Sequence, residues 1–320
     1  MNTFFRKLTV AATVAVITVA FSCKKDSPTP TPTTTTTTTP TGEGYTSMSD
    51  FFAKNGVAAQ TYTITGSSGG SFRSPQGTVV TIPPNAFLNS SLQVVTGPVT
   101  ITFKDIYKKS DMLLSNIAAT TTTGAPLKSG GEFYIKPTSG GNALTLANAI
   151  TVTQPLDTLS APDSAMNVYY RDTAGWALAN LNASIVANAS GYLTTLYTLT
   201  TPPTAGTWCN SDDPSYFSAY TQGTLVLQET DNATDYGTNV YLVFKGINTT
   251  DACHTGFGNN FNFTNCVPVG LQCTAVALGV KNGTLYSAII PLTITSSQTI
   301  SFSLTATTTA AFKAALEALN

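Results

Sequence analysis

The chain has 320 residues, a length that suits about two ordinary domains. Only 10% of them are charged, against roughly 25% in an average soluble domain, while the hydrophobic share of 42% is near normal. Lys and Arg number 15 against 16 Asp and Glu, so no basic face is available to neutralise phosphates and nucleic acid is excluded as a partner. The apolar content and small net charge also exclude a wholly disordered chain.

Arg6 and Lys7 precede an apolar run from Leu8 to Phe21. Its 14 residues fall short of the roughly 20 needed to span a bilayer, so residues 1–22 read as a signal peptide. Cys23 follows the small Ser22 at the end of that run, where a bacterial lipoprotein is cleaved and acquires its lipid, palmitate included. An ordinary secretory signal is the alternative. Lipidation of Cys23 leaves four of the five cysteines, an even number suited to disulfides. Residues 23–44 then carry Lys24-Lys25-Asp26 and the Pro/Thr run Ser27–Thr41, an extended tether that holds the body away from a membrane.

The body reads as all β. Ser49-Asp50 is placed to cap a short helix through Phe51, Phe52 and Lys54 that stops at Asn55-Gly56. Beyond it, Val99, Ile101 and Phe103 alternate with Thr100, Thr102 and Lys104, and Phe133 and Ile135 alternate with Glu132, Tyr134 and Lys136. Such period-2 runs predict strands with one wet face. The triplets Val240/Leu242/Phe244, Val276/Leu278/Val280 and Ile300/Phe302/Leu304 repeat the pattern, and Asn282-Gly283 predicts a tight hairpin. Strands without intervening helices predict two tandem β-sandwiches, over residues 45–204 and 205–320. At the end Thr309 precedes AAFKAALEAL, whose Phe312, Leu316 and Leu319 share a face, which predicts a short amphipathic helix against the second sandwich.

The stretches GGSFRSPQGTVVTIPPNAF (Gly69 to Phe87), GPVTITFKDIYKKSDMLLSN (Gly97 to Asn116) and PLKSGGEFYI (Pro126 to Ile135) carry a family resemblance. In order and spacing they are similar to surface lipoproteins of Bacteroidota whose first domain resembles the β-sandwich module of zonula-occludens proteins, ankyrins and netrin receptors. NCVPVGLQCTAVALGVKNGTLYSAIIPLTI and TTTAAFKAALEAL resemble the distal domain of the same lipoproteins. Some members carry Trp-Xaa-Asn-Cys-Asp between the halves, where this chain has Trp208-Cys209-Asn210-Ser211-Asp212. The resemblance implies a fold and a location, the outer membrane with a lipid anchor and the body facing outward; no catalytic residues come with it. Asp157-Thr158-Leu159, Asp163-Ser164-Ala165 and Asp172-Thr173-Ala174 resemble O-glycan acceptor triplets of exported proteins in these bacteria, which makes Thr158, Ser164 and Thr173 candidates.

For chemistry the sequence offers little. Cys253, His254, Cys266 and Cys273 nominally match a zinc ligand set, but in an exported chain paired cysteines are the commoner outcome, so no metal or other cofactor is expected. Cys253 and Cys266 enclose a Gly/Asn-rich loop and are the expected disulfide, with Cys209 and Cys273 either paired or left as buried thiols. Glu132 and Glu229 read as solvated edge residues rather than a glycosidase pair. Asp231 to Gly237 departs from a calcium loop and reads as an acidic turn. No nucleophile elbow, phosphate loop or HExxH occurs, and an enzyme is not expected.

Aromatic residues concentrate mid-chain: Trp176 and Trp208 with Tyr169, Tyr170, Tyr216, Phe217 and Tyr220. They either fill the two cores or form platforms for a sugar or a protein partner, with Trp176, Trp208, Tyr216 and Tyr220 as the binding candidates. Two functions from different classes follow. One is a lipid-anchored surface module that binds glycan or protein; the other is a structural subunit of a fimbria-like assembly.

Overall fold

The computed structural model describes residues 42–320, apart from 157–161, 201–204 and His254. Cys23 and Thr158 lie outside the described residues. The body is all β, two sandwiches with short helices.

The first sandwich grows from the alternation read above. Its seven-stranded sheet has Gln60–Thr65, Pro98–Ile106, Lys128–Ser139, Thr207–Asp213, Asn167–Arg171 and Trp176–Leu178 as neighbours in that order, with Asn142–Ala143 on the side. Val99, Ile101, Phe103, Phe133 and Ile135 point inward from it and are fully buried. They meet Val80, Ile82, Ile150, Val152 and Leu196 of a five-stranded sheet in one core. Strands pleat, so the alternate residues of the larger sheet must face out.

One strand corrects the domain boundary expected at residues 204 and 205. Thr207–Asp213 sits between Lys128–Ser139 and Asn167–Arg171, and Cys209 is buried in the first core. Its sequence TWCNSDD has no apolar alternation: apart from Trp208 it is buried on both faces, with Asn210 bonded to Ser129 and Ser211 to Gln154. The first helix of the described body is also reassigned, because Tyr45, Met48 and Phe51 pack on the second sandwich.

The second sandwich places a four-stranded sheet, with Gln222–Glu229 and Asn260–Pro268 at its centre, against a five-stranded one. In the five-stranded sheet Asn239–Phe244, Gln272–Lys281 and Thr284–Thr293 are consecutive neighbours. The Asn282-Gly283 hairpin forms as expected, with φ of 51° and 77° at its two turn residues. The wet face expected of this sheet does not exist. Val240, Leu242 and Phe244 point into the inter-sheet core, while Val276, Leu278 and Val280 point the other way, into a second apolar layer. Helices cover that layer: α1 (Met48–Asn55), α2 (Lys109–Leu114) and α4 (Thr309–Glu317), whose Phe51, Leu113, Leu114, Phe312 and Leu316 meet Tyr241, Val243 and Leu285. Both phases of VYLVF and AVALGV are therefore apolar. The caps lie one or two residues earlier than expected: Ser47 Oγ accepts from Asp50 N at 3.1 Å and Thr308 Oγ1 from Ala311 N at 3.1 Å. The acidic turn at Asp231 to Gly237 holds the short α3 (Ala233–Tyr236), closed by Gly237 in the left-handed region.

The segment from Asn116 to Ser129 joins the two sandwiches. Ala119 N donates to Thr250 O at 2.9 Å and Ser129 N to Asn248 O at 2.9 Å, and Lys109 Nζ reaches Phe244 O at 2.8 Å. Asp251 is buried here, its Oδ1 accepting from Thr120 Oγ1 at 2.7 Å, and burial pushes its carboxyl up to about 8. Neither Glu132 nor Glu229 is a solvated edge residue: they are 0% and 1% exposed. Glu132 does point out of the first sheet, but that end of the face lies under the joining segment. Burial, reinforced by Asp212, holds its carboxyl far above the carboxylate range against the opposing pull of Arg171.

Candidate binding face

The outer face of the seven-stranded sheet is built from the polar phase of its strands, and cross-strand register arranges that phase in rows. Lys104 pairs with Tyr134, and Tyr134 with Trp208, across three adjacent strands. The next row holds Thr61, Thr102 and Lys136, and the one after it Thr63, Thr100 and Thr138. Opposite partners lie about 4.5–5.5 Å apart at Cβ, so the rows tile a continuous surface. Thr61 and Thr63 are exposed, and Lys104, Tyr134, Lys136 and Trp208 are half-buried.

The face has two ends of different character. Toward Glu132 and Asn210 it is closed by Ile117, Ala119 and Leu127, which pack on Tyr169 and Trp176. Trp176 is 1% exposed and its Nε1 donates to Ala118 O at 2.7 Å. It is a core tryptophan, so its candidacy as a binding residue is withdrawn: the joining segment covers the ring that the strand turns outward. Trp208, half-buried against the edge of that cluster where the open end begins, keeps its candidacy.

Tyr134 and Trp208 form one aromatic unit with ring centroids 5.2 Å apart and planes tilted by 51°. Tyr134 Oη donates to Ala205 O at 2.9 Å, which fixes the ring across the strand end. Gly206, at φ +78°, makes room for it, since a Cβ there would collide with the Tyr134 ring. Burial lowers the Lys104 ammonium and raises the Tyr134 hydroxyl from their ordinary values.

Tyr216 and Tyr220 belong elsewhere. Their rings lie 6.2 Å apart around a turn beside Lys128, whose Nζ is 5.1 Å from the Tyr216 ring centre and 2.6 Å from an Asp163 carboxylate oxygen. Lys128 and Tyr134 are six residues apart on one strand, about 20 Å at the usual rise, so the four aromatic candidates do not converge. Tyr134, Lys104 and Lys136 were not among the sequence candidates. Their signal was the outward phase of the alternation, which acquires meaning only once the strands are paired.

The four body cysteines are free thiols in the structure. Cys209 lies in the first core and Cys273 in the second, so of the two alternatives, pairing or buried thiols, the structure has the buried thiols. Cys253 and Cys266 both pack against the second core, and burial, followed by the charges of Asp251 and Cys253, pushes the Cys266 thiol up. His254 lies outside the described residues, and among the described residues no three His, Cys, Asp or Glu side chains gather as a metal-binding group. Ser164 and Thr173 are exposed, each beside a turn whose aspartate caps the following backbone. No helix among the described residues is long and apolar enough to cross a membrane. No family model matches the chain, and no curated protein matches it.

Proposed function

We propose that this protein is a non-catalytic glycan-binding module, held on the outer membrane by lipid on Cys23 and displayed outward on its Pro/Thr tether. The observation that carries the reading is the Tyr134–Trp208 pair on an open sheet face, fixed by the Ala205 carbonyl and by Gly206. Rings of this kind present apolar surface to the faces of sugars, and a flat sheet lets several tile along one chain. The lipoprotein resemblance and the signal-like Leu8–Cys23 stretch support the location. Binding of the lipid-free body to a polysaccharide array tests it. Trp208→Ala and Tyr134→Ala are expected to lose at least tenfold in affinity while keeping the melting temperature of the parent within a few degrees; unchanged affinity in both variants removes the reading. The anchor is tested separately: Cys23→Ala should leave the detergent phase for the aqueous phase, and identical partitioning of mutant and parent would refute lipidation.

A second reading, a subunit of a fimbria-like assembly, is favoured by a different observation. The edge strand Ala183–Asn188 carries no charge, Val186 is 59% exposed, and Leu181 beside it is 95% exposed. Such an unprotected edge invites pairing with another chain. Thr309–Glu317 is helical and offers no donor strand. If the parent self-associates at high concentration and Val186→Lys does not, this reading gains.

A further inference from the structure

The open face carries two lysines without a counter-charge. Lys104 stands in the same row as Tyr134 and Trp208, and Lys136 in the next row, diagonal to Lys104. No carboxylate occurs in the three rows of the open end, and among the described residues neither lysine belongs to an ion pair. In a chain with only 15 Lys and Arg, two unpaired cations beside an aromatic pair are a concentrated feature. Burial is also the sole influence that depresses the Lys104 ammonium, as expected of a cation with no neighbouring anion.

We infer that the open face takes an anionic polysaccharide built from uronic acids, with sugar rings against Tyr134 and Trp208 and their carboxylates at Lys104 and Lys136. This rests on the glycan-binding reading of the same face and adds the ligand class. The geometry matches because a uronate carries its carboxylate on the ring: a ring lying on Tyr134 turns its edge toward Lys104, the direct cross-strand neighbour. Diagonal cross-strand residues lie about 7–8 Å apart, so a carboxylate farther along the chain comes within reach of the flexible Lys136 stem. Two point cations suit one carboxylate each. The surrounding Thr61, Thr63, Thr100, Thr102 and Thr138 offer hydroxyls that donate to or accept from sugar hydroxyls.

The test is a titration of the lipid-free body with polygalacturonate, carboxyl-reduced polygalacturonate and dextran sulfate. Polygalacturonate should bind, the neutral reduced polymer should bind at least tenfold more weakly, and dextran sulfate should not exceed polygalacturonate. Lys104→Gln and Lys136→Gln should each weaken polygalacturonate binding roughly tenfold, the worth of a charge-assisted contact. Affinity of the parent should fall between about 0.01 M and about 1 M salt, as the screening length drops from about 30 Å to about 3 Å. Equal binding of the neutral polymer, or lysine variants that bind like the parent, overturns the uronate assignment while leaving the glycan reading intact if Trp208→Ala still abolishes binding. Tighter binding of dextran sulfate overturns it in favour of sulfate esters. Absence of binding to every polysaccharide overturns both.

Discussion

The outer faces of the two larger sheets differ in one respect that decides their fates. In the second sandwich the outward phase is Tyr241, Val243, Val276, Leu278 and Val280, and three helices bury it. In the first, the outward phase is Thr61, Thr102, Lys104, Tyr134, Lys136 and Trp208, and its open end is left to solvent. The inward phases of both are ordinary apolar cores. An apolar phase left exposed would be an aggregation hazard, so it recruits cover; a threonine and lysine phase has no such need and stays available for a ligand.

The covered face should be broken most severely by Phe312→Ala. Phe312 is 1% exposed and its ring lies 6.2 Å from that of Phe51, so truncation is expected to cost about 3–5 kcal/mol in denaturant unfolding. A loss below about 1 kcal/mol would mean that the helices only rest on the sheet.

Next in size is the proposed Cys253–Cys266 disulfide, which would isolate the stability of the second sandwich. Oxidised protein should be more stable than reduced protein by about 3 kcal/mol if closing that loop follows the chain-entropy estimate. Thiol titration of the denatured body, produced in an oxidising compartment, should then find only Cys209 and Cys273; detection of four thiols would dismiss the bond.

Asp251 probes how dry the junction between the sandwiches is. Its folded carboxyl titrates at about 8, raised by burial and partly opposed by the Thr120 hydrogen bond, whereas the unfolded one titrates near the ordinary value of about 4. The folded state thus holds the extra proton between those values, and stability contributed by this group declines as pH rises from about 4 to about 8. Asp251→Asn should flatten that decline and raise stability at pH 7 by on the order of 1–3 kcal/mol. A variant with an unaltered pH slope would show that the carboxyl is hydrated.

The smallest effect belongs to the open face. Thr102→Val changes one row of it and should shift stability by no more than about 0.5 kcal/mol. A larger destabilisation would mean that the threonine rows are structural. Removing the exposed Ser164 and Thr173 hydroxyls should likewise leave stability unchanged, and an intact mass equal to chain plus lipid would exclude O-glycans at both.

The local grammar of the fold is legible in the chain alone. Period-2 runs at Val99–Phe103 and Phe133–Ile135 made strands, Asn282-Gly283 made a hairpin, and Phe312, Leu316 and Leu319 made an apolar helix face, because backbone periodicity and turn sterics act over a few residues. Which outward phase meets solvent is settled by packing between distant elements. Glu132 and Tyr134 alternate on the same side of one strand, yet one lies buried beneath the joining segment and the other is half-exposed beside Trp208. Trp176 and Trp208 likewise read alike in the chain and part company in the fold. Burial of an outward residue depends on the joining segment that packs over it, and that segment is itself held by residues 248–252, more than a hundred positions away. No local pattern encodes that distance, since the contacts are made by side chains whose neighbours are chosen by sheet register and by the docking of the two sandwiches.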